Sequence, residues 1–414
     1  DDELPLYTIV VALYREASSV SPLLQALNSL DYPHEKLDIK IVVEPNDLET
    51  RAAIARFCAS AGTMLPLQVI VAPRTGPQTK PKALNCALPF ARGTFIAVFD
   101  AEDRPEPQQL RAALAAFRTH SPNVACVQAS LCIHNTRDGW LARMFGVEYA
   151  GQFDAFLPGL ARFGMPLPLG GTSNHFRTDV LRAVGGWDPY NVTEDADLGM
   201  RLSRFGYRAV TFASTTFEEA PISFGAWLRQ RTRWMKGWLQ TWNVHMRAPR
   251  RFWRESGWSG WLALNLMVGG SVLTALVHPL LLLGLAAYFV APRTDGAVFA
   301  APSGVLLPLH AVAIAAGYIA TVIVGLTGLK RRRRIRDGWV LILTPLYWLC
   351  LSLAAWRALL QLLTDPYRWE KTEHGLTGDA GPVVPLPIRP PHESEARAAQ
   401  RESPAFLRSR RIQR

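Results

Sequence analysis

The chain is poor in cysteine. Its 414 residues hold five, Cys58, Cys86, Cys126, Cys132 and Cys350, with no Cys-x-x-Cys pair and no Cys/His cluster. That pattern argues against a disulfide scaffold or a zinc module and leaves the thiols as small core residues of a reducing compartment. An initiating Met and a signal peptide are also missing: the chain opens on Asp1-Asp2, which reads as a fragment with membrane spans upstream. No nucleic-acid motif accompanies the net charge of +11, much of which lies in Lys330-Arg331-Arg332-Arg333-Arg334-Ile335-Arg336 and in the C-terminal tail. Positive charge beside apolar runs follows from the positive-inside rule, so no nucleic-acid partner is expected.

What is present is unevenly spread. Residues 1–245 read as an α/β domain, 246–376 as interfacial and transmembrane helices, and 377–414 as a disordered, basic, Pro-rich tail. Three apolar runs, Trp258–Val290, Ser303–Leu329 and Trp339–Trp356, are long enough to span a bilayer. The first two fit a hairpin with the basic loop in the cytosol. A third full span would put the tail outside, although its charge argues for inside. Either the third run is re-entrant around Pro345, or one long run makes two passes.

Within the domain, β-branched runs predict strands at 7–13, 37–43, 67–71, 95–99 and 124–131, alternating with helical patterns. This spacing predicts an open parallel sheet, whose ligands sit at the carboxyl ends of the strands. Tyr14, Arg15, Glu16, Glu44 and Asp47 fall at such ends. Residues 139–169 alternate aromatic with small and polar side chains, as in an amphipathic segment lying on a membrane or under a substrate channel.

Four short stretches carry chemistry. Thr79-Lys80-Pro81-Lys82 opens a helix, where a lysine opposes the helix dipole unless an anion lies nearby or the side chain is simply solvated. Asp100-Ala101-Glu102-Asp103 puts three acids at the mouth of a buried strand, a repulsion that an oxygen-ligated Mg²⁺ or Mn²⁺ would relieve and that loop solvation explains less well. Val192-Thr193-Glu194-Asp195-Ala196-Asp197-Leu198 gives Thr193 as a helix N-cap with acids in the first turn, either capping charges or a catalytic group. Gln230-Arg231-Thr232-Arg233-Trp234 follows about thirty-five residues later, polar and basic next to an indole. Trp234 also reads as an interfacial anchor among Trp227, Trp238 and Trp242.

In this order the motifs resemble family 2 glycosyltransferases of the membrane-embedded polysaccharide-synthase branch, similar to cellulose, curdlan and hyaluronan synthases. The resemblance covers residues 7 to about 245 and continues into the membrane part, including Trp369-Glu370-Lys371-Thr372-Glu373-His374-Gly375. It implies a GT-A domain (the nucleotide-diphospho-sugar transferase fold, α/β) with an α-helical transmembrane region. It implies Tyr14, Glu16, Glu44, Lys82, Asp100, Gln230 and Arg233 at the donor and Trp234 and Glu194 at the acceptor. Asp195 is then the general base, and Asp100 and Glu102 the ligands of Mg²⁺ or Mn²⁺. Glu44-Pro45 stands where the family has an Asp-Asp pair, and Glu102 where it has Asp. The implied activity is inverting transfer from a UDP-sugar onto a growing polysaccharide, exported across the bacterial inner membrane with export or regulatory subunits. Single transfer to a lipid or polyprenyl phosphate is the alternative. A non-enzymatic subunit is disfavoured by the intact acids.

Overall fold

A computed structural model describes residues 4–60, 65–290 and 306–365. Its first strand, β1 (Tyr7–Leu13), is apolar at nearly every position because both of its faces are covered. Ile9 and Val11 join one core, and Val10 joins another on the opposite face. Strands β2 (Leu37–Val43), β3 (Leu67–Val71) and β4 (Phe95–Phe99) run parallel to β1 in the order β3-β2-β1-β4. Their bounds are those expected from the β-branched runs.

Past β4 the sheet is not parallel throughout, which corrects the all-parallel expectation. The remaining strands are β5 (Arg104–Pro105), β6 (Val124–Ile133), β7 (Asn174–Arg177) and β8 (Arg208–Glu218). β7 lies antiparallel between β4 and β6, β8 is parallel to β6, and β5 pairs antiparallel at the edge. β7 escapes a pattern reading because it is polar yet buried. His175 is held there by the Tyr7 hydroxyl (2.8 Å) and Gln109 (3.3 Å), so its burial leaves no ring nitrogen unpaired.

Helices α1 (Val20–Asn28) and α4 (Gln109–Thr119) cover one face, through Leu23, Leu24, Leu27 and Leu110, Leu114, Phe117 at helical spacing. α2 (Leu48–Ser60) lies beside α1 at the β2–β3 edge. α3 (Lys80–Ala87) and α5 (Trp140–Gly151) cover the other face. α5 runs on through a π turn at Gln152–Phe156 into α6 (Leu157–Arg162). The 139–169 stretch is therefore largely buried, which argues against a segment lying on a membrane and leaves its other reading, a segment under a substrate channel, standing. Leu141, Met144, Phe145, Phe153 and Leu157 are core, although Phe163 is exposed. After α7 (Thr178–Ala183) come α8 (Glu194–Arg204) and α9 (Phe224–Met246), the latter capped by Ser223 Oγ accepting from the Ala226 amide at 3.2 Å. Thr193 precedes α8 but makes no side-chain cap; its hydroxyl turns to Asn191 instead.

Three helical stretches are long and apolar enough to cross a membrane: Pro249–Ala287, Pro308–Arg331 and Ile335–Thr364. The first comprises α10 (Pro249–Leu262), a π segment at Ala263–Gly269 and α11 (Gly270–Val290). The others are α12 (Leu306–Arg331) and α13 (Thr344–Thr364), with a 3-10 stretch Ile335–Leu343 before α13. Pro345 lies in the first turn of α13, where proline has no backbone bond to break, so the chain goes on instead of turning back. α12 is seated on the domain: a Cβ at Gly328 would lie 2.1 Å from the Ala150 carbonyl. Arg332 pairs with Asp154 and donates to the Leu131 carbonyl (2.7 Å), so part of the basic loop is a bolt to the domain. The motif at 369–375 and the Pro-rich tail lie outside the described residues.

Candidate active site

The strands β1, β2 and β4 end at a cavity of about 250 Å³. Tyr14 and Glu16 after β1, Glu44 after β2, and Asp100 and Glu102 after β4 line it on one side. Glu194 and Asp195 at the start of α8, with Gln230, Arg233 and Trp234 on α9, line it on the other. Lys82 is the sequence candidate that does not reach it. Its ammonium donates to the Pro73 carbonyl (2.6 Å) and sits 3.7 Å from Glu44, behind the cavity wall. Lys80 lines the cavity instead, paired with Asp100 and donating to the Gly171 carbonyl at 2.7 Å. The reason is helical phase: two residues turn about 200° around a helix axis, so one lysine faces the cavity and the other its back. Asp47, also at a strand end, ties loops together by accepting from the Arg15 and Thr50 amides.

The electrostatics are set by burial. Burial first, then the Asp100 and Glu102 charges, push Asp103 well above the usual carboxylate range. Asp103 accepts from the Asp100 amide (2.6 Å) and from the Thr172 hydroxyl, holding the strand-mouth turn closed. Burial likewise raises Glu194 to about 7, with the Asp195 charge adding to it. Asp195 rises to about 6, again from burial, against the Ala196 amide and Lys80, which lower it. Glu218, at the end of β8, is buried on the cavity wall and raised by burial and by the three strand-mouth acids. For Lys80, burial alone would lower the ammonium, but Asp100 and Glu194 outweigh it and hold it charged.

Two contacts fix α8 against α9. Asp197, third acid of its motif, points away from the cavity and accepts from His245 (3.1 Å) and Arg201 (2.7 Å). A Cβ at Gly237 would lie 2.4 Å from the Thr193 hydroxyl, so only glycine lets α9 pass this close to the Glu194-Asp195 turn. On α9, Arg231 forks onto Glu148 of α5 at 2.8 and 2.6 Å, and Tyr347 of α13 donates to the same carboxylate at 2.6 Å. The guanidinium lies 4.5 Å over the Trp234 ring, which also packs 5.8 Å from Phe145. Trp234 is thus clamped on one side and borders the cavity on another. Trp227 is fully buried and Trp242 donates to Asn265, so this cluster is no ring of surface anchors. Sequence reasoning missed Glu148 and Arg231 as a pair. The available signal was a lone acid in an apolar stretch, which needs a partner when buried.

Comparison with known proteins gives the family. The model of Glycosyl transferase family group 2 matches residues 95–366, about two thirds of the chain, and that of Glycosyl transferase family 2 matches residues 8–178. Among curated relatives, the probable glycosyltransferase YdaM of Bacillus subtilis is 26% identical, over 57% of this chain and 56% of its own length. A probable glucomannan 4-beta-mannosyltransferase of Oryza sativa is 28% identical, over 57% and 41%. A beta-monoglucosyldiacylglycerol synthase of Trichormus variabilis is 26% identical, over 57% and 50%. The chain spans about half the length of these relatives. The mannosyltransferase PcManGT of Pyrobaculum calidifontis, solved with GDP-Man and Mn²⁺, shares the fold at a TM-score of 0.57, with 20% identity over 88% of each chain. With a GT-A-like sheet, acids at its strand mouths and a family model over most of its length, the chain belongs to Glycosyl transferase family group 2.

Proposed function

We propose that the chain transfers a hexose, with inversion, from a nucleotide sugar to an acceptor hydroxyl presented on the α9 side of the cavity, the donor being UDP-linked by the motif resemblance. One observation carries this: a single cavity is lined by Asp100, Glu102 and Lys80 together with Asp195, Arg233 and Trp234. Asp195, raised to about 6, is ionised at neutral pH yet basic enough to take the acceptor proton as the hydroxyl attacks the anomeric carbon. Lys80 takes the place expected of Lys82 at the diphosphate and, with Arg233, stabilises its gathering charge. Tyr14, Glu16 and Glu44 lie where the nucleoside end would sit, Gln230 meets the donor, and Glu194 and Trp234 meet the acceptor.

Asp100 and Glu102 offer a hard, oxygen-only donor set, which fits Mg²⁺ or Mn²⁺. The Lys80 ammonium on Asp100 already stands in for a cation. Among the described residues no group of three or more His, Cys, Asp or Glu side chains is placed to hold a metal ion, so this reading gives the ion two carboxylates and leaves the rest of its shell to phosphate oxygens and water. When bound, the ion screens negative charge on the departing diphosphate.

Arg332 and Arg334 bind the domain, which sets the basic loop and the cavity on the same side of a bilayer. The positive-inside rule then makes that side the cytosolic face of a bacterial inner membrane. A second reading, polymerisation into an exopolysaccharide with export and accessory subunits, is favoured by Gln230-x-x-Arg233-Trp234. The test is product analysis after incubating inverted vesicles with single labelled UDP-sugars. Labelled glycolipid or polymer supports transfer; a donor left intact with every acceptor refutes it.

A further inference from the structure

Next to the active-site cavity lies a second chamber of about 330 Å³, and the two share Glu148, Arg231, Trp234 and Trp238 as walls. Its other walls come from α11 and α13, two of the apolar helices. On α11, Gly270, Thr274 and His278 recur every four residues, with Ser271 beside them, so a polar stripe faces the chamber. Ser271 donates to the Met267 carbonyl of its own helix, but an imidazole inside a candidate membrane helix calls for a ligand or a pathway.

We infer that this chamber seats the acceptor, that the acceptor is an uncharged lipid bearing a free hydroxyl, and that His278 contacts its polar head; the inference rests on the glycosyl-transfer reading above. His278 is 2% exposed and its Nε2 lies 2.9 Å from the Tyr318 hydroxyl, while its Nδ1 has no partner among the described residues. If Tyr318 donates to Nε2, Nδ1 carries a proton and needs an acceptor. If Nε2 donates, Nδ1 needs a donor. A hydroxyl group meets either need, whereas a carboxylate or phosphate meets only one.

Charge and shape narrow the class. The chamber's cation, Arg231, is already neutralised by both oxygens of Glu148, so no cation there is left over for a lipid phosphate. At the far end the rings of His278, Tyr318 and Trp348 meet edge to face, with centroids 5.0–5.9 Å apart. Beyond them α11 runs from Pro279 to Ala287 without a polar side chain. The polar stripe therefore stops at His278, which favours a molecule anchored in the chamber over a glycan threaded past it. Leu273, Leu280 and Leu283, 61%, 55% and 65% exposed on the same helix, give hydrocarbon chains a surface to follow.

The experiment uses the full chain in phosphatidylcholine vesicles with labelled UDP-sugars. The vesicles contain dioleoylglycerol or undecaprenyl phosphate, or are supplied with a soluble oligosaccharide. The expected result is label in the organic phase with dioleoylglycerol alone. His278→Leu should raise the dioleoylglycerol KM about three- to tenfold, the worth of one neutral hydrogen bond. The UDP-sugar KM should stay near its starting value. His278→Gln should restore part of the loss, because an amide both donates and accepts. Thr274→Trp, one turn before His278 on the same stripe, fills the chamber while leaving the imidazole in the chain, and should raise the same KM if His278→Leu fails to fold. Label passing to undecaprenyl phosphate or to a water-soluble polymer overturns the lipid-alcohol assignment while leaving glycosyl transfer standing. An unchanged acceptor KM in Thr274→Trp overturns the chamber. No consumption of any donor overturns both readings together.

Discussion

The two sides of the cavity are built in opposite ways. The side proposed for the donor is a set of short loops at the ends of parallel strands, with acids within a few residues of a buried β-run and Lys80 at the start of α3. The side proposed for the acceptor is made from the start of α8 and the flanks of α5 and α9, where the decisive partners lie far apart in sequence: Arg231 with Glu148, and Glu148 with Tyr347 of α13. Loops on a rigid sheet place charged groups with little dependence on anything else. Helix flanks do so only when several helices pack at the right distance, as at Gly237 against Thr193. Substitutions on the donor side should therefore change donor binding, and those on the acceptor side should change what happens to the sugar afterwards.

The largest effect is expected where the two sides meet. Asp195→Asn keeps size and shape but cannot accept the proton, so turnover of labelled UDP-sugar should fall ~10²–10⁴-fold. UDP affinity, read by calorimetry, should change little. Parallel loss of both would erase the division between the sides. Next, Asp100→Ala or chelation with EDTA should remove metal-dependent UDP binding and turnover together, since the diphosphate charge is then unscreened. Turnover indifferent to EDTA takes Asp100 and Glu102 out of metal binding.

The two lysines give a sharper contrast within the donor side. Lys80→Ala should raise the UDP-sugar KM about ten- to a hundredfold, the worth of a charge-assisted contact. Lys82→Ala should act mainly on thermal stability, by leaving buried Glu44 without its cation. The reverse ranking would return the diphosphate to Lys82. The smallest effect concerns pH. Glu194 and Asp195 are raised in the fold to about 7 and about 6, so the native state holds protons that the unfolded chain has released. Stability should thus decline as pH rises from about 4 to about 7, a shift of a few degrees in Tm. Turnover should rise through about pH 6 as Asp195 ionises. Asp195→Asn should flatten the stability profile; an unchanged profile would move the titration elsewhere.

The sequence by itself determined which strand-end residues border the cavity on its loop side, one lysine excepted. β-branched runs mark β1 to β4, those of β1, β2 and β4 buried on both faces, and an acid immediately after such a run emerges at the strand mouth. That is why Tyr14, Glu16, Glu44, Asp100 and Glu102 could be named in advance and all line one cavity. Only the tertiary structure decided which lysine faces inward, because Lys80 and Lys82 share a motif and differ only in helical phase. It alone showed that Asp197 leaves its motif to bind His245, that β7 is a buried polar strand, and that the 139–169 stretch is core. It alone joined Glu148, Arg231 and Tyr347 beside Trp234. The physical reason is range: strand burial and loop position are written within about ten residues of chain, whereas helix packing and buried charge pairing depend on side chains that local periodicity cannot bring together.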